Sequence, residues 1–445
     1  MSGDPFFAQV AEDTLRYVER DLLSPDGACW SAEDADSVPA SQVGTRQAPA
    51  PPRARSTSGR ATRSSKRWVP TAAPGTAPGV QPGGNAPFDP QGEFGTGNLF
   101  YTARTIAAIA EQTGETPAAI GAALARGRQR LFAVRSQRPR PALDDKVLTA
   151  WNGLMLAAFA RAARVLEPDG VLDDAVAGTG ARHLATAVRV AQYLRHHLWD
   201  ASRRRLWRRH SAGAAGVEAF AEDYACVAWG LIELFQATGD AAWLAWALDL
   251  HAVLDEQFLA PNDRGWYATT GEDPSVLLRQ IEAYDGAEPS ATSVAVTNLL
   301  TLARLTGRAD LQERAEAVLA AQRGGLAAAP RVRPHLLAAL STLRQPAVEV
   351  VVVEGEPRGL AARLRQTIAS RFMPGGVVVP IQAEQAKALA ALAPWTTTYG
   401  ADRPAAAFAC RRFVCAAPIT SEEALAVWLD EVTHPGAPEP PSTTH

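Results

Sequence analysis

The sequence predicts a mainly α-helical protein of repeated helical hairpins, with a small α/β unit near its C-terminal side. Three observations predict it. Apolar residues recur at helix spacing through most of the chain. A carboxylate and an aromatic precede a long apolar helix three times: Asp144-Asp145 through Trp151-Asn152-Gly153, Glu222-Asp223-Tyr224, and Tyr284-Asp285-Gly286. From Ala347 the pattern changes to β-branched runs such as Val350-Val351-Val352-Val353.

The elements follow in order. Phe7, Val10, Leu15, Val18 and Leu22 share one helix face, and Ser24 to Ser31 reads as a short hairpin before the acidic run Glu33-Asp34-Ala35-Asp36-Ser37. Residues 1–37 form the first hairpin. Residues 38–90 are rich in Pro, Gly, Ala, Ser, Thr and Arg and are expected as a disordered linker, because they hold too little apolar surface to offset ordering. The linker's cationic run (Arg46, Arg53, Arg55, Arg60, Arg63, Lys66, Arg67) reads either as an anionic-surface tether or as a solvated insertion; the second is favoured.

Residues 91–345 are expected as the helical toroid. Its helices run over 103–111, 117–134, 149–165, 182–198, 222–238, 241–258, 290–306, 310–321 and 332–343. Thr116 caps the helix that Pro117 opens, while Gly239 and Gly307 supply stops between paired helices. Trp199 to Arg208 and Asn262 to Thr270 read as short strands around polar turns. The unit is an outer helix, a small hairpin, an acidic loop and an inner helix, at a period of roughly 60–80 residues. Residues 346–432 alternate strands and helices with parallel-strand character, and 433–445 form a disordered tail.

Composition narrows the function classes. A formal net charge of −3 and a 47% hydrophobic share suit a globular protein and give no reason to expect nucleic acid or a membrane as partner. Residues 1–9 lack a secretory leader pattern, so a cytoplasmic location is expected. Cys410 and Cys415, five apart, read as two buried strand cysteines in preference to a redox pair or half a metal site. No metal and no cofactor is expected.

Acidic loops at equivalent points of a ring imply one polar mouth. Asp145, Glu33, Asp223 and Asp285 are the candidate acid–base groups there, since crowded carboxylates push one another's pKa apart. Asp34, Asp36, Asp144, Lys146, Trp151, Asn152, Tyr224 and Tyr284 are candidate substrate contacts, Trp151 by stacking on a sugar face. Helix capping explains the same carboxylates, and packing between hairpins explains Trp151.

Several of these segments also resemble a known family. Tyr17-x-x-Arg20-Asp21-Leu22 with Ser31-Ala32-Glu33-Asp34-Ala35-Asp36-Ser37, Asp144-Asp145-Lys146-Val147-Leu148-Thr149-Ala150-Trp151-Asn152-Gly153, Glu222-Asp223-Tyr224-Ala225, Ala283-Tyr284-Asp285-Gly286-Ala287 and Cys415-Ala416-Ala417-Pro418 are similar to the thioredoxin-domain-containing family of spermatogenesis-associated protein 20. The resemblance implies an (α/α)6 toroid of the six-hairpin glycosidase class, similar to that of N-acylglucosamine 2-epimerases. It finds no counterpart here for the family's thioredoxin-like domain or its early hairpins, so an incomplete ring is expected. Exposed helix faces in such a ring imply self-association or a thioredoxin-like partner. Three functions follow as expectations: a truncated toroid of carbohydrate metabolism with weak or lost activity, an active sugar isomerase, epimerase or glycosidase acting on a sugar-like small molecule, and a non-catalytic scaffold.

Overall fold

The computed structural model describes residues 4–34, 104–166, 179–346, 348–400, 403–411 and 414–433, with the backbone of 59–60 and 97–98. The expected tail at 433–445 lies outside these residues beyond its first position, as does the linker at 38–90 apart from the two-residue strand Gly59–Arg60. The chain divides into two units, one of residues 1–31 and 146–445, the other of residues 32–145.

In the smaller unit, strand β1 (Ala32–Glu33) pairs antiparallel with β4 (Leu143–Asp144), and β2 (Gly59–Arg60) with β3 (Gly97–Asn98). Its helices are α2 (Ile106–Thr113) and α3 (Pro117–Arg135), separated by Gly114 at φ 75°. Thr116 Oγ1 accepts the Ala119 N–H at 3.2 Å, the cap that the Thr-Pro pair predicts.

The larger unit opens with α1 (Pro5–Tyr17), which continues as a π-turn over Val18–Leu22. After β5 (Val147–Leu148) come α4 (Thr149–Val165) and α5 (Thr179–Tyr193), the latter ending in a second π-turn over Leu194–Leu198. Strands β6 (Trp199–Asp200), β7 (Arg205–Ser211) and β8 (Ala214–Glu218) lead into α6 (Ala221–Thr238) and α7 (Ala241–Phe258). Next are α8 (Ala291–Thr306), α9 (Ala309–Ala321), the short α10 (Arg323–Ala328) and α11 (Pro334–Arg344). Gly239 and Gly307, at φ 74° and 73°, end α6 and α8 in the left-handed conformation that glycine adopts without Cβ strain.

Burial separates inner from outer helices. Along α6 nearly every side chain is buried, including Leu231, Leu234 and Phe235, whereas α9 buries only Leu311, Ala315, Val318 and Leu319. Each large apolar side chain so enclosed contributes roughly 1.5–3 kcal/mol. Inner helices α4, α6, α8 and α11 therefore pack in sequence, each against the next. The closest approach joins α4 to α6. A Cβ on Gly153 would stand 2.5 Å from the Cys226 carbonyl carbon, and one on Gly230 would stand 2.7 Å from the Gly153 oxygen. Only glycine at both positions lets the two backbones touch.

The C-terminal subdomain holds β9 (Val348–Val353), α12 (Leu360–Ala369), β10 (Val377–Ile381), α13 (Ala386–Leu392), β11 (Ala406–Arg411), β12 (Val414–Cys415) and α14 (Glu422–Thr433). Its strand order is β10-β9-β11-β12. The parallel character expected from sequence holds only for β9 with β10; β11 runs antiparallel to β9, so the sheet is mixed. Strand direction depends on the path of the connection, which a run of valines does not encode. The subdomain seats on the C-terminal ends of the inner helices. Gln236 Oε1 accepts the Val378 N–H at 3.1 Å, Gln382 Nε2 donates to the Thr238 carbonyl at 2.9 Å, and Trp395 Nε1 donates to the Leu305 carbonyl at 3.2 Å. The fold class is mainly α, built of paired helices, with a small α/β subdomain. Among the described residues no helix is long and apolar enough to cross a membrane.

Candidate functional site

The N-terminal ends of the inner helices are stitched together by polar side chains. Asn152 Oδ1 accepts the Cys29 N–H at 2.7 Å, while its Nδ2 donates to the Cys29 and Leu148 carbonyls, both at 2.9 Å. Asn298, on α8, donates to the Ala225 carbonyl of α6 at 2.8 Å. Helix α4 follows Leu148, whose side chain offers no cap. Its cap comes from α6: Asp223 Oδ1 accepts the Ala150 N–H at 2.9 Å. The other oxygen of Asp223 accepts the Phe220 N–H at 2.8 Å and lies 3.2 Å from an Arg208 guanidinium nitrogen.

Asp285 does the same work for two helices. Oδ1 accepts the Ser290 N–H at 2.9 Å and the Ser290 hydroxyl at 3.0 Å, at the start of α8. Oδ2 accepts the His335 N–H at 2.9 Å and the Leu336 N–H at 3.3 Å, at the start of α11. Burial alone would raise the Asp285 pKa, but these donors hold the carboxyl below its usual range. At Asp223 burial wins: it pushes the carboxyl up to about 7, against Arg208 and the backbone donors.

An open cleft of about 490 Å³ lies beside Asp285, lined by Leu154 of α4, Trp229 of α6, the Asp285–Pro289 loop, and Pro334, His335 and Ala338 of α11. Trp229 and His335 stand 5.2 Å apart, ring centre to ring centre. Thr297 Oγ1 lies 3.2 Å from His335 Nε2 and donates its single hydrogen to the Ser293 carbonyl at 3.0 Å. With the hydroxyl hydrogen so placed, the imidazole is assigned as the donor through Nε2, with the lone pair on Nδ1. Burial lowers the His335 pKa, with Arg161 adding to it and Asp285 opposing, so the ring is neutral near pH 7. A neutral imidazole and an indole flanking an open cleft can bind a polyol face and exchange a proton with it.

The remaining residues singled out in the sequence fall in several places. Tyr284 is 61% exposed on the same loop as Asp285, and Trp151 is 39% exposed on the first turn of α4. Tyr224 is buried, its hydroxyl accepting the Leu206 N–H at 2.9 Å. Neither Asp223 nor Tyr224 lines the cleft. Lys146 is half-buried just before β5. In the smaller unit, Glu33 pairs across β1–β4 with Leu143 and forms an ion pair with Arg140; Asp144 faces Ala32 in the same ladder. The Asp34 N–H donates to the Ala142 carbonyl at 2.7 Å, and Asp145 is exposed. Asp36 lies outside the described residues.

Sequence reasoning passed over Trp229, His335 and Glu233. Glu233 is buried on α6 and forms ion pairs with Arg161 and Arg164 of α4; burial opposes its charge, but the two guanidinium groups hold its pKa below the usual range. Trp229 sits inside an apolar helix run that reads as core, and His335 follows Pro334 in an ordinary helix start. Cys410 and Cys415, expected as two buried strand cysteines, are instead joined by a disulfide, and Cys415 is exposed. A cross-strand pairing places them face to face, which the five-residue spacing did not reveal. Among the described residues no group of three or more His, Cys, Asp or Glu side chains is placed to hold a metal ion.

No protein-family model matches the chain. Human spermatogenesis-associated protein 20 is 31% identical over 444 residues, covering 94% of this chain and 54% of that protein. The rat protein of the same name is 32% identical over 403 residues, 85% of this chain and 48% of its own length. Over most of its length the chain is a homologue of spermatogenesis-associated protein 20. It spans about half the length of the curated relatives it matches. Among solved structures, cellobiose 2-epimerase from Bacillus thermoamylovorans B4167 aligns over 39% of this chain and 43% of its own, with a TM-score of 0.32 and 15% identity. A D-mannose isomerase aligns over 96% of both chains, with a TM-score of 0.32 and 12% identity.

Proposed function

We propose that this homologue of spermatogenesis-associated protein 20 binds a sugar or related polyol in the Trp229–His335 cleft. Its chemistry there is slow proton transfer of the isomerase or epimerase kind, with weak turnover, and not glycosidic hydrolysis. One observation carries the proposal: both carboxylate oxygens of Asp285 are occupied by donors from two helix starts, while a neutral His335 lines the open cleft beside Trp229. Hydrolysis by the common route needs two available carboxyl groups about 5–10 Å apart. Asp223 and Asp285 instead serve as caps. His335 Nδ1 is the base, Trp229 supplies an apolar face for a sugar ring, and Asp285 positions His335 through its backbone.

The test is titration of the purified chain with mannose, glucose, N-acetylglucosamine and cellobiose, followed by tryptophan fluorescence and by deuterium incorporation from heavy water. Millimolar-range binding is expected, weakened about tenfold or more by Trp229→Ala. Deuterium incorporation at the carbon next to the carbonyl is expected to vanish in His335→Asn. Cleavage of cellobiose that survives His335→Asn and fails in Asp223→Asn would overturn the proposal, as would the absence of binding to all four sugars.

A further inference from the structure

The C-terminal disulfide lies apart from the cleft residues and has its own chemistry. Cys410 on β11 and Cys415 on β12 are direct cross-strand partners, with Cα atoms 4.0 Å apart. The two residues differ in access: Cys410 is 4% exposed, whereas Cys415 is exposed on the edge strand. One hydroxyl reaches both. Tyr399 Oη lies 3.7 Å from Cys410 Sγ and 3.8 Å from Cys415 Sγ. Its ring is fixed against Phe408 and Trp395, at 4.9 Å and 5.9 Å between centres. Burial, with a smaller push from Glu349, raises the Tyr399 phenol above its ordinary pKa, so it remains a proton donor through neutral pH.

We propose that Cys410–Cys415 is a reversible thiol–disulfide exchange site whose co-substrate is a small thiol of the glutathione class. The thiolate of the incoming molecule attacks Cys415 Sγ, on the exposed residue of the pair. The Cys410–Cys415 bond breaks, its electron pair goes to Cys410 Sγ, and that leaving thiolate accepts the Tyr399 hydroxyl and then a proton from solvent. A second small thiol displaces Cys415 as a thiol. The balance is two small thiols oxidised to one disulfide, and the protein disulfide reduced to two thiols.

The backbone allows the cycle to run without unfolding. The Ala416 N–H donates to the Ala409 carbonyl at 2.9 Å, and Ala407 and Ile419 exchange N–H bonds at 2.9 and 2.8 Å. These hold the returning segment against β11 whether or not the sulfurs are joined, so the pair stays in register for reoxidation. The other two described cysteines, Cys29 and Cys226, are buried, and burial pushes the Cys29 thiol up to about 12. They take no part at neutral pH.

The full chain is incubated in ~5 mM reduced glutathione without denaturant, quenched with a maleimide and mapped by peptide mass. Two thiols are expected to appear within minutes, at Cys410 and Cys415, with the glutathione adduct found on Cys415 and an unchanged far-UV circular dichroism spectrum. Tyr399→Phe, which keeps the ring, is expected to slow reduction about fivefold or more and to steepen its rise with pH. Resistance of the disulfide until the chain is denatured would overturn the proposal. So would an adduct on Cys410 in preference to Cys415, or a Tyr399→Phe chain reduced at the wild-type rate and pH profile.

Discussion

Asp223 and Asp285 occupy corresponding places in successive repeats, and both are buried, at 1% and 8% exposure. Each caps a helix other than the one it precedes or begins. Their ionisation nevertheless diverges: burial lifts Asp223 to about 7, while four donors keep Asp285 below the ordinary carboxylate range. One recurring motif therefore yields two electrostatic outcomes, set by the balance between burial and the donors that converge on it. Recurrence marks the architecture; that balance decides the chemistry.

The comparison breaks most visibly at Asp285. Replacement by alanine strands the Ser290 N–H and hydroxyl and the His335 and Leu336 N–H groups together. A loss of about 3 kcal/mol in urea unfolding is expected, with the His335 backbone no longer fixed. A loss under about 1 kcal/mol would show that water replaces the carboxylate without cost.

Asp223 sharpens the contrast through pH. Its folded pKa is raised above the unfolded value, so the stability it contributes is full below about pH 4 and is lost as pH rises toward 7. Asp285 has a lowered folded pKa, so its contribution is present above about pH 4 and is lost below that. Asp223→Asn should flatten the stability profile between about pH 4 and 7 by roughly 1–3 kcal/mol, whereas Asp285→Asn should flatten it only at more acid pH. Chemical denaturation across the pH range reads both, and identical profiles for the two variants would end the distinction.

The smallest expected effect is at Ser290. Its hydroxyl accepts the Ser293 N–H at 3.3 Å as the cap of α8 and donates to Asp285. Ser290→Ala should cost about 1 kcal/mol of unfolding free energy and leave the pH profile of Asp285 nearly intact, because three backbone N–H groups remain on it.

How far the molecule was legible in its sequence follows from which forces are local. Helix α4 over 149–165 and α7 over 241–258 match the apolar spacing residue for residue, and Gly239 and Gly307 mark real stops, since periodicity and left-handed glycine are properties of a short segment. The acid clusters were visible too, but not the helices they cap: Asp223 serves Ala150, and Asp285 serves His335. Those pairings span 73 and 50 residues and exist only once the helices are packed. The same holds for Trp229, whose surroundings in sequence are uniformly apolar, and for the antiparallel β11.

The glycine contact between α4 and α6 bears on motion. With Gly153 against the Cys226 carbonyl, and Glu233 held by Arg161 and Arg164 farther along, the two helices are clamped at separate heights. Sliding one past the other would drive backbone into backbone, so the pair moves as one rigid body. Any opening or closing of the cleft must then come from α11 and the Tyr284–Pro289 loop, the elements on its other wall.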